Sequence, residues 1–216
     1  MFFEPDKNDH GLPHNPLKAC VVPRPIGWIT SLSAAGRINL APFSFFNLLS
    51  YNPPFVMFSA GGHEKDEEVK DSPANIKATG EFVYNIATWD TRHAMSRTGL
   101  ITDRTVDEFA AVGLTPAPSR FVKPPRVAES PIHFECVHHQ TVELPGHTRH
   151  DIHQLVVGRV IGVHIDEAVL TNGLIDFRKL RPIARLGYKD YIVVDDTFEM
   201  EKSTPEERIK AAHAAE

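Results

Sequence analysis

The sequence predicts a mainly β chain folded as a barrel with short helical insertions. Short apolar runs at 26–32, 38–41, 55–60 and 82–86 are divided by Pro- and Gly-containing turns, the pattern of successive short strands. Longer apolar stretches follow at 131–144 and 154–166, with a last one at 191–194. Helix-start signals are few, and glycine soon stops the two inner helices, so regular βαβ units are not supported and a doubly wound sheet is disfavoured.

An apolar run at 18–22 comes first, and Pro23-Arg24-Pro25 separates it from the run at 26–32. Ser33-Ala34-Ala35-Gly36 then turns the chain into 38–41, making a hairpin. Asn52-Pro53-Pro54 removes two backbone donors and fixes a rigid entrance to the strand at 55–60. Ser72 before Pro73 reads as an N-cap and Gly80 as the stop of the first helix. Thr105 with Glu108 forms a capping-box pattern ended by Gly113, and Thr204, Pro205 and Glu207 repeat it in the tail. The run at 154–166 is apolar on both alternating faces except at Arg159 and His164, so it is expected to be a central strand buried from two sides.

At 216 residues and 42% hydrophobic content the chain can bury one sizeable core. The expected division is an irregular arm at 1–17, a barrel domain at 18–196 and a helical tail at 197–216. A net charge of −5 leaves no broad cationic field for a phosphate backbone, so nucleic acid is not an expected partner. The first residues lack a cationic lead and an apolar run, and no later stretch could span a bilayer. A cytoplasmic protein with no membrane contact is the expectation. Cys20 and Cys136 sit singly in apolar runs and read as buried free thiols.

Two segments have the residue types of a ligand site. Asn39, Leu40, Ala41, Pro42, Phe43, Ser44, Phe45, Phe46 and Asn47 mix aromatic rings with small hydroxyl and amide groups. A planar heteroaromatic ligand needs apolar faces against its rings and a few oriented polar groups at its edge, although on residue types alone a plain core is the more ordinary reading. Ser59-Ala60-Gly61-Gly62-His63-Glu64-Lys65-Asp66 gathers glycines, a hydroxyl and a cation at a strand end. Glycines let N–H groups approach a phosphate that Lys65 would neutralise. The segment is neither a Walker loop nor a dinucleotide fingerprint, and a solvated Gly-Gly turn is its ordinary alternative.

Pro23-Arg24-Pro25-Ile26-Gly27-Trp28-Ile29-Thr30-Ser31, Gly36, the 39–46 segment and Pro53-Pro54 together resemble the flavin reductase-like, FMN-binding split-barrel family. The resemblance continues through Lys65-Asp66, Pro73-Ala74-Asn75-Ile76, Gly80-Glu81-Phe82-Val83 and Arg185-Leu186-Gly187 before Tyr191. Tyr188 stands where many relatives have a second glycine. The resemblance implies a Greek-key split barrel that forms a homodimer with one FMN per subunit. By that resemblance Trp28, Thr30 and Ser31 lie along the flavin and its ribityl-phosphate chain. Asn39, Leu40, Ala41, Pro42, Ser44, Phe45 and Phe46 border the isoalloxazine, and Ser59, His63, Lys65 and Asp66 fall on the phosphate side.

Such a protein transfers electrons between FMN and NADH or NADPH, with no protein acid or base required at the reacting atom. A reductase supplying reduced flavin to an oxygenase is the expected function. A flavoredoxin-like carrier serving an electron-transfer partner shares every binding residue. His138, His139, His147, His150 and His153 form a local excess that could make a metal-binding loop, but no standard zinc spacing is present. No metal ligand is therefore assigned. A further possibility is that His147 or His150 overhangs the flavin.

Overall fold

A computed structural model describes residues 1–61, 70–100, 103–147 and 151–200. Seven antiparallel strands make its main sheet: β1 Gly27–Leu32, β2 Ile38–Phe43, β3 Phe46–Tyr51, β4 Pro54–Gly61, β5 Glu81–Ile86, β6 Ile132–Leu144 and β7 His153–Ile165. Their spatial order is β2-β1-β5-β6-β7-β4-β3. The edge strands β2 and β3 are consecutive in the chain, joined only through Ser44 and Phe45. That short connection draws the two edges together, and the Ser59 N–H donates to the Phe45 carbonyl at 2.8 Å beside the seam. The sheet thus curls into a split barrel, as expected.

Alternation fills the barrel. Val56, Phe58 and Ala60 of β4 point inward and meet Ile29, Phe82 and Tyr84. Phe46 stacks on Tyr84 with ring centroids 4.5 Å apart. A Cβ at Gly27 would lie 2.5 Å from the Phe46 ring, so glycine is required where this ring crosses β1. A second core on the outer face joins Trp28 and Leu40 to Met95, Phe109 and Val127. Because β1 is packed on both faces, five of its six residues are buried.

The helices are α1 Leu17–Cys20, α2 Asp71–Thr79, α3 Arg92–Thr98, α4 Glu108–Val112 and α5 Phe177–Leu180. Gly80 and Gly113 end α2 and α4 with φ of 79° and 74°, as their positions predict. The N-caps differ from expectation. Ser72 lies inside α2 after the Lys70 cap, and Asp107 rather than Thr105 caps α4 by accepting from the Phe109 and Ala110 N–H groups. Asp is as good a cap as Thr and stands one residue before the helix.

Two other expectations are corrected. The run at 18–22 starts within α1 instead of a strand, and Cys20 at its end is exposed, whereas Cys136 is buried. The outer half of β7 is not enclosed on both faces: Arg159, Ile161, Val163 and Ile165 are exposed where the barrel wall has no second layer. Late in the chain, β8 Ile183–Arg185 pairs with both Arg24–Pro25 and β9 Tyr191–Val193. The expected helix of the tail lies outside the described residues. No described helix is long and apolar enough to cross a membrane.

Candidate functional site

Edge strand β2 and the step that follows it, residues 39–45, form the common wall of three hollows. Pro42 borders all three. Since β2 pairs only with β1, its outward peptide groups have no ladder partner. The Leu40 N–H is met by Glu108 Oε2 at 3.3 Å, and Pro42, the next residue with the same orientation, has no N–H to offer.

One hollow of about 340 Å³ is bordered by Lys18, Ser44, Phe45, Ser59, Lys70 and His153. Lys70 reaches over the Phe43 ring at 5.9 Å. Burial first, and Lys18 second, hold the Lys70 ammonium below the usual lysine range. Ser59 Oγ lies 3.3 Å from His153 Nδ1. An adjoining hollow of about 310 Å³ shares Lys18, Pro42 and Ser44 with the first and adds Arg24, Arg185, Tyr188 and Tyr191; the Arg24 guanidinium lies over the Phe45 ring at 5.8 Å. Burial and the neighbouring Arg185 lower the Arg24 guanidinium in the same way. Neither Lys18, Lys70, Arg24 nor Arg185 forms an ion pair with a described carboxylate. In a chain of net charge −5, this concentration of cations with no counter-charge among the described residues, set around one apolar wall, is an anion-receiving arrangement.

The third hollow, about 90 Å³, lies between Asn39, Ser72, Thr98 and Glu108. Burial raises the Glu108 carboxyl to about 6, against the opposing pull of backbone hydrogen bonds, and Asp107 and Asp71 add to the rise. Asn39 Nδ2 donates to Ser72 Oγ at 2.8 Å, and Asn75 Nδ2 donates to Ser31 Oγ at 3.2 Å.

The sequence-predicted site residues therefore divide. Asn39, Ala41, Pro42, Ser44, Phe45 and Ser59 line the hollows together. Trp28 and Leu40 do not: both are wholly buried in the outer core, and the Trp28 indole N–H is spent on Thr98 Oγ1 at 3.0 Å. Phe46 is turned into the barrel against Tyr84. Thr30 and Ser31 are also fully buried, with Thr30 Oγ1 accepting from Asn85 Nδ2 at 2.9 Å. These five support the wall from behind. His63, Lys65 and Asp66 lie outside the described residues.

Sequence reasoning missed Lys18, Lys70 and Glu108. Lys18 and Lys70 come from a short helix and a helix cap, with no motif to connect them. The histidines are dispersed: His138 Nε2 is 2.9 Å from Thr141 Oγ1, His139 meets the Phe55 ring edge-on, and exposed His147 lies 3.6 Å from Asp6. His150 is outside the described residues. His153, not His147, borders the groove. Among the described residues, no group of three or more His, Cys, Asp or Glu side chains is placed to hold a metal.

The antiparallel split barrel is a fold this chain shares with flavin reductase proteins of known structure. The chain belongs to the flavin reductase like domain family, whose model matches residues 19–184. It is 38% identical over 173 residues to an uncharacterized protein of Aquifex aeolicus, covering 80% of this chain and 85% of that one. Nitrilotriacetate monooxygenase component B from Bacillus cereus superposes with a TM-score of 0.84 at 30% identity, over 93% of this chain and 98% of that chain. Flavoredoxin of Desulfovibrio vulgaris shares the fold, with a TM-score of 0.71 at 21% identity over 86% of this chain and 94% of that chain.

Proposed function

We propose that this chain is an FMN-dependent oxidoreductase that takes electrons from NADH or NADPH and supplies reduced flavin to an oxygenase or another electron-transfer partner. The observation that carries the reading is the wall at 39–45, apolar along Pro42 and Phe45 and flanked by Lys18 and Lys70, neither of them paired with a described carboxylate. An aromatic ring system with a phosphate on a flexible arm matches that combination of surfaces.

The residues fit the group. Ala41, Pro42, Ser44 and Phe45 would border the ring, and Lys18, Lys70 and Ser59 would receive the phosphate, joined by His63, Lys65 and Asp66 through the family resemblance. FMN, when bound, supplies hydride acceptance from a reduced nicotinamide and onward transfer of two electrons. The protein's part is to hold the ring with one face open and to keep the cations near its anionic end. Thr30, Ser31, Asn75 and Asn85 keep the wall in register through their hydrogen bonds. No side chain is assigned to proton transfer.

A homodimer in the cytoplasm completes the reading. Exposed Leu48, Leu49 and Tyr51 on edge strand β3, and Ile161, Val163 and Ile165 on β7, are apolar surface of the kind a second copy covers. The unpaired thiols Cys20 and Cys136 fit a reducing compartment.

The visible spectrum of the protein with added FMN, before and after anaerobic NADH or NADPH, tests this function. The expected result is a flavin band that shifts on binding and bleaches with nicotinamide. Binding without bleaching, followed by reduction from a protein donor, would replace the reductase with a flavoredoxin-like carrier, and no binding would remove the cofactor assignment.

A further inference from the structure

Strand β9 is an open edge, paired within its three-stranded sheet only with β8. The Val194 N–H donates to the Pro182 carbonyl at 2.9 Å and the Leu186 N–H to the Asp190 carbonyl at 3.0 Å. Ladder bonds in an antiparallel pair fall on alternate residues, so the N–H and C=O groups of Tyr191 and Val193 face away from β8. Between this edge and α3 lies a groove of about 300 Å³ lined by Trp89, Arg92, His93, Met95, Ile183 and Ile192. The Arg92 guanidinium lies over the Trp89 ring at 3.7 Å and donates to the Trp89 carbonyl at 2.5 Å. Among the described residues no carboxylate pairs with it.

The chain that leaves β9 has the complementary pattern. Asp195-Asp196-Thr197-Phe198-Glu199-Met200 forms no helix or strand of its own, and Phe198 and Met200 are 86% and 77% exposed. In an extended chain Asp196, Phe198 and Met200 project to one side. We propose that this segment of one copy adds as a strand to the β9 edge of a second copy, with Phe198 and Met200 in the Trp89 groove and Asp196 on Arg92. An unpaired edge is a template for such addition: the outward peptide groups of Tyr191 and Val193 supply the ladder bonds, and the groove reads the alternate side chains. A carboxylate on a guanidinium held over an aromatic face adds a charge-assisted bond.

The segment does not reach the groove of its own copy. To pair with its own β9 it would have to turn back at 194–195, and both residues are tied forward: Val194 to the Pro182 carbonyl, and Asp195 to Arg181 Nε at 3.0 Å. Those bonds carry the strand direction past Val193 and deliver Phe198 away from the barrel. Each copy therefore offers one arm and one groove, and a pair of copies satisfies both reciprocally, which closes the assembly at two. The inference is independent of the flavin reading.

The test is cross-linking between copies. Full-length Ile192→Cys and Phe198→Cys variants, each also carrying Cys20→Ser, are produced together with different tags and treated with a short bismaleimide. The expected result is a covalent dimer joining the two variants, formed in far lower yield by either variant alone and suppressed by an excess of a synthetic peptide of residues 195–200. Arg92→Glu on the groove-bearing chain should cut the yield about tenfold, and Asp196→Arg on the arm-bearing chain should restore it. Absence of the joined dimer overturns the proposal, even where sedimentation shows a homodimer, because the copies then meet through another face. A link formed within one chain of the Ile192→Cys/Phe198→Cys double variant, with no dimer, overturns it in favour of docking on the same copy. A yield indifferent to both the peptide and Arg92→Glu overturns it too, since the adduct then reflects chance collision.

Discussion

Trp28 donates its indole N–H to Thr98 Oγ1 at 3.0 Å, which ties β1 of the barrel to the last residue of α3. Thr98 Oγ1 in turn donates to the Met95 carbonyl at 2.8 Å, so one hydroxyl satisfies two buried groups and holds α3 against the groove wall. Thr98→Val keeps the shape but leaves the indole N–H unpaired. It is expected to lower unfolding free energy by about 1–3 kcal/mol in urea titration. An unchanged midpoint would show that this bond does not anchor the helix.

Glu108 gives the groove a pH signature. Its carboxyl titrates near 6 in the folded protein, above its usual value of 4.5. Between those values the native state retains a proton that the unfolded chain has released, so this contribution to stability falls as pH rises through the window. Glu108→Gln preserves an acceptor for the Leu40 N–H without the charge. Above pH 7 the variant should be more stable than wild type by about 2 kcal/mol, with the difference vanishing below pH 4.5. His133, lowered to about 4 mainly by burial, acts in the opposite sense, so the wild-type-minus-variant difference isolates Glu108. A variant less stable at pH 8 would contradict the assignment.

Lys70 tests the phosphate end of the proposed flavin site. Removing a charge-assisted bond by Lys70→Ala should weaken FMN binding by about 1.5–3 kcal/mol in a fluorescence titration. Lys65→Ala, chosen from the family resemblance, should act in the same direction. Wild-type affinity should also fall as salt is added. Unchanged FMN affinity in Lys70→Ala would take that residue out of the phosphate seat.

By the family resemblance Tyr188 stands in place of a second glycine, and its φ of 55° is a conformation that suits glycine. Tyr188→Gly should raise thermal stability by about 0.5–1 kcal/mol, because relief of the left-handed strain is partly offset by the freer unfolded chain. A destabilised variant would mean that contacts of the ring, such as that with His14 at 5.8 Å, outweigh the strain.

Most of the strands were legible in the sequence because alternation and turn residues are local properties, but β3 was not, since its segment reads as the loop after the hairpin. The runs that became β1, β2, β4 and β5 are marked by Gly36, Pro53, Pro54 and Gly80 within a few residues of their ends. The family resemblance rested on the same local segments, and it located the wall at 39–45. Local pattern could not decide which side of the wall each residue faces. Phe45 and Phe46 are neighbours of equal hydrophobicity, yet Phe45 borders a hollow and Phe46 fills the barrel. A step of one residue in a strand reverses the side chain.

The sequence by itself determined a β-rich chain, its glycine helix stops and the segment that forms the groove wall, because each depends on neighbours in the chain. Tertiary structure decided that Trp28 and Leu40 support the wall from a second core, and that Lys18 meets Lys70 while Arg24 meets Arg185. Those pairs join residues far apart in sequence. Their charges act through space, and only the closure of the barrel sets that distance.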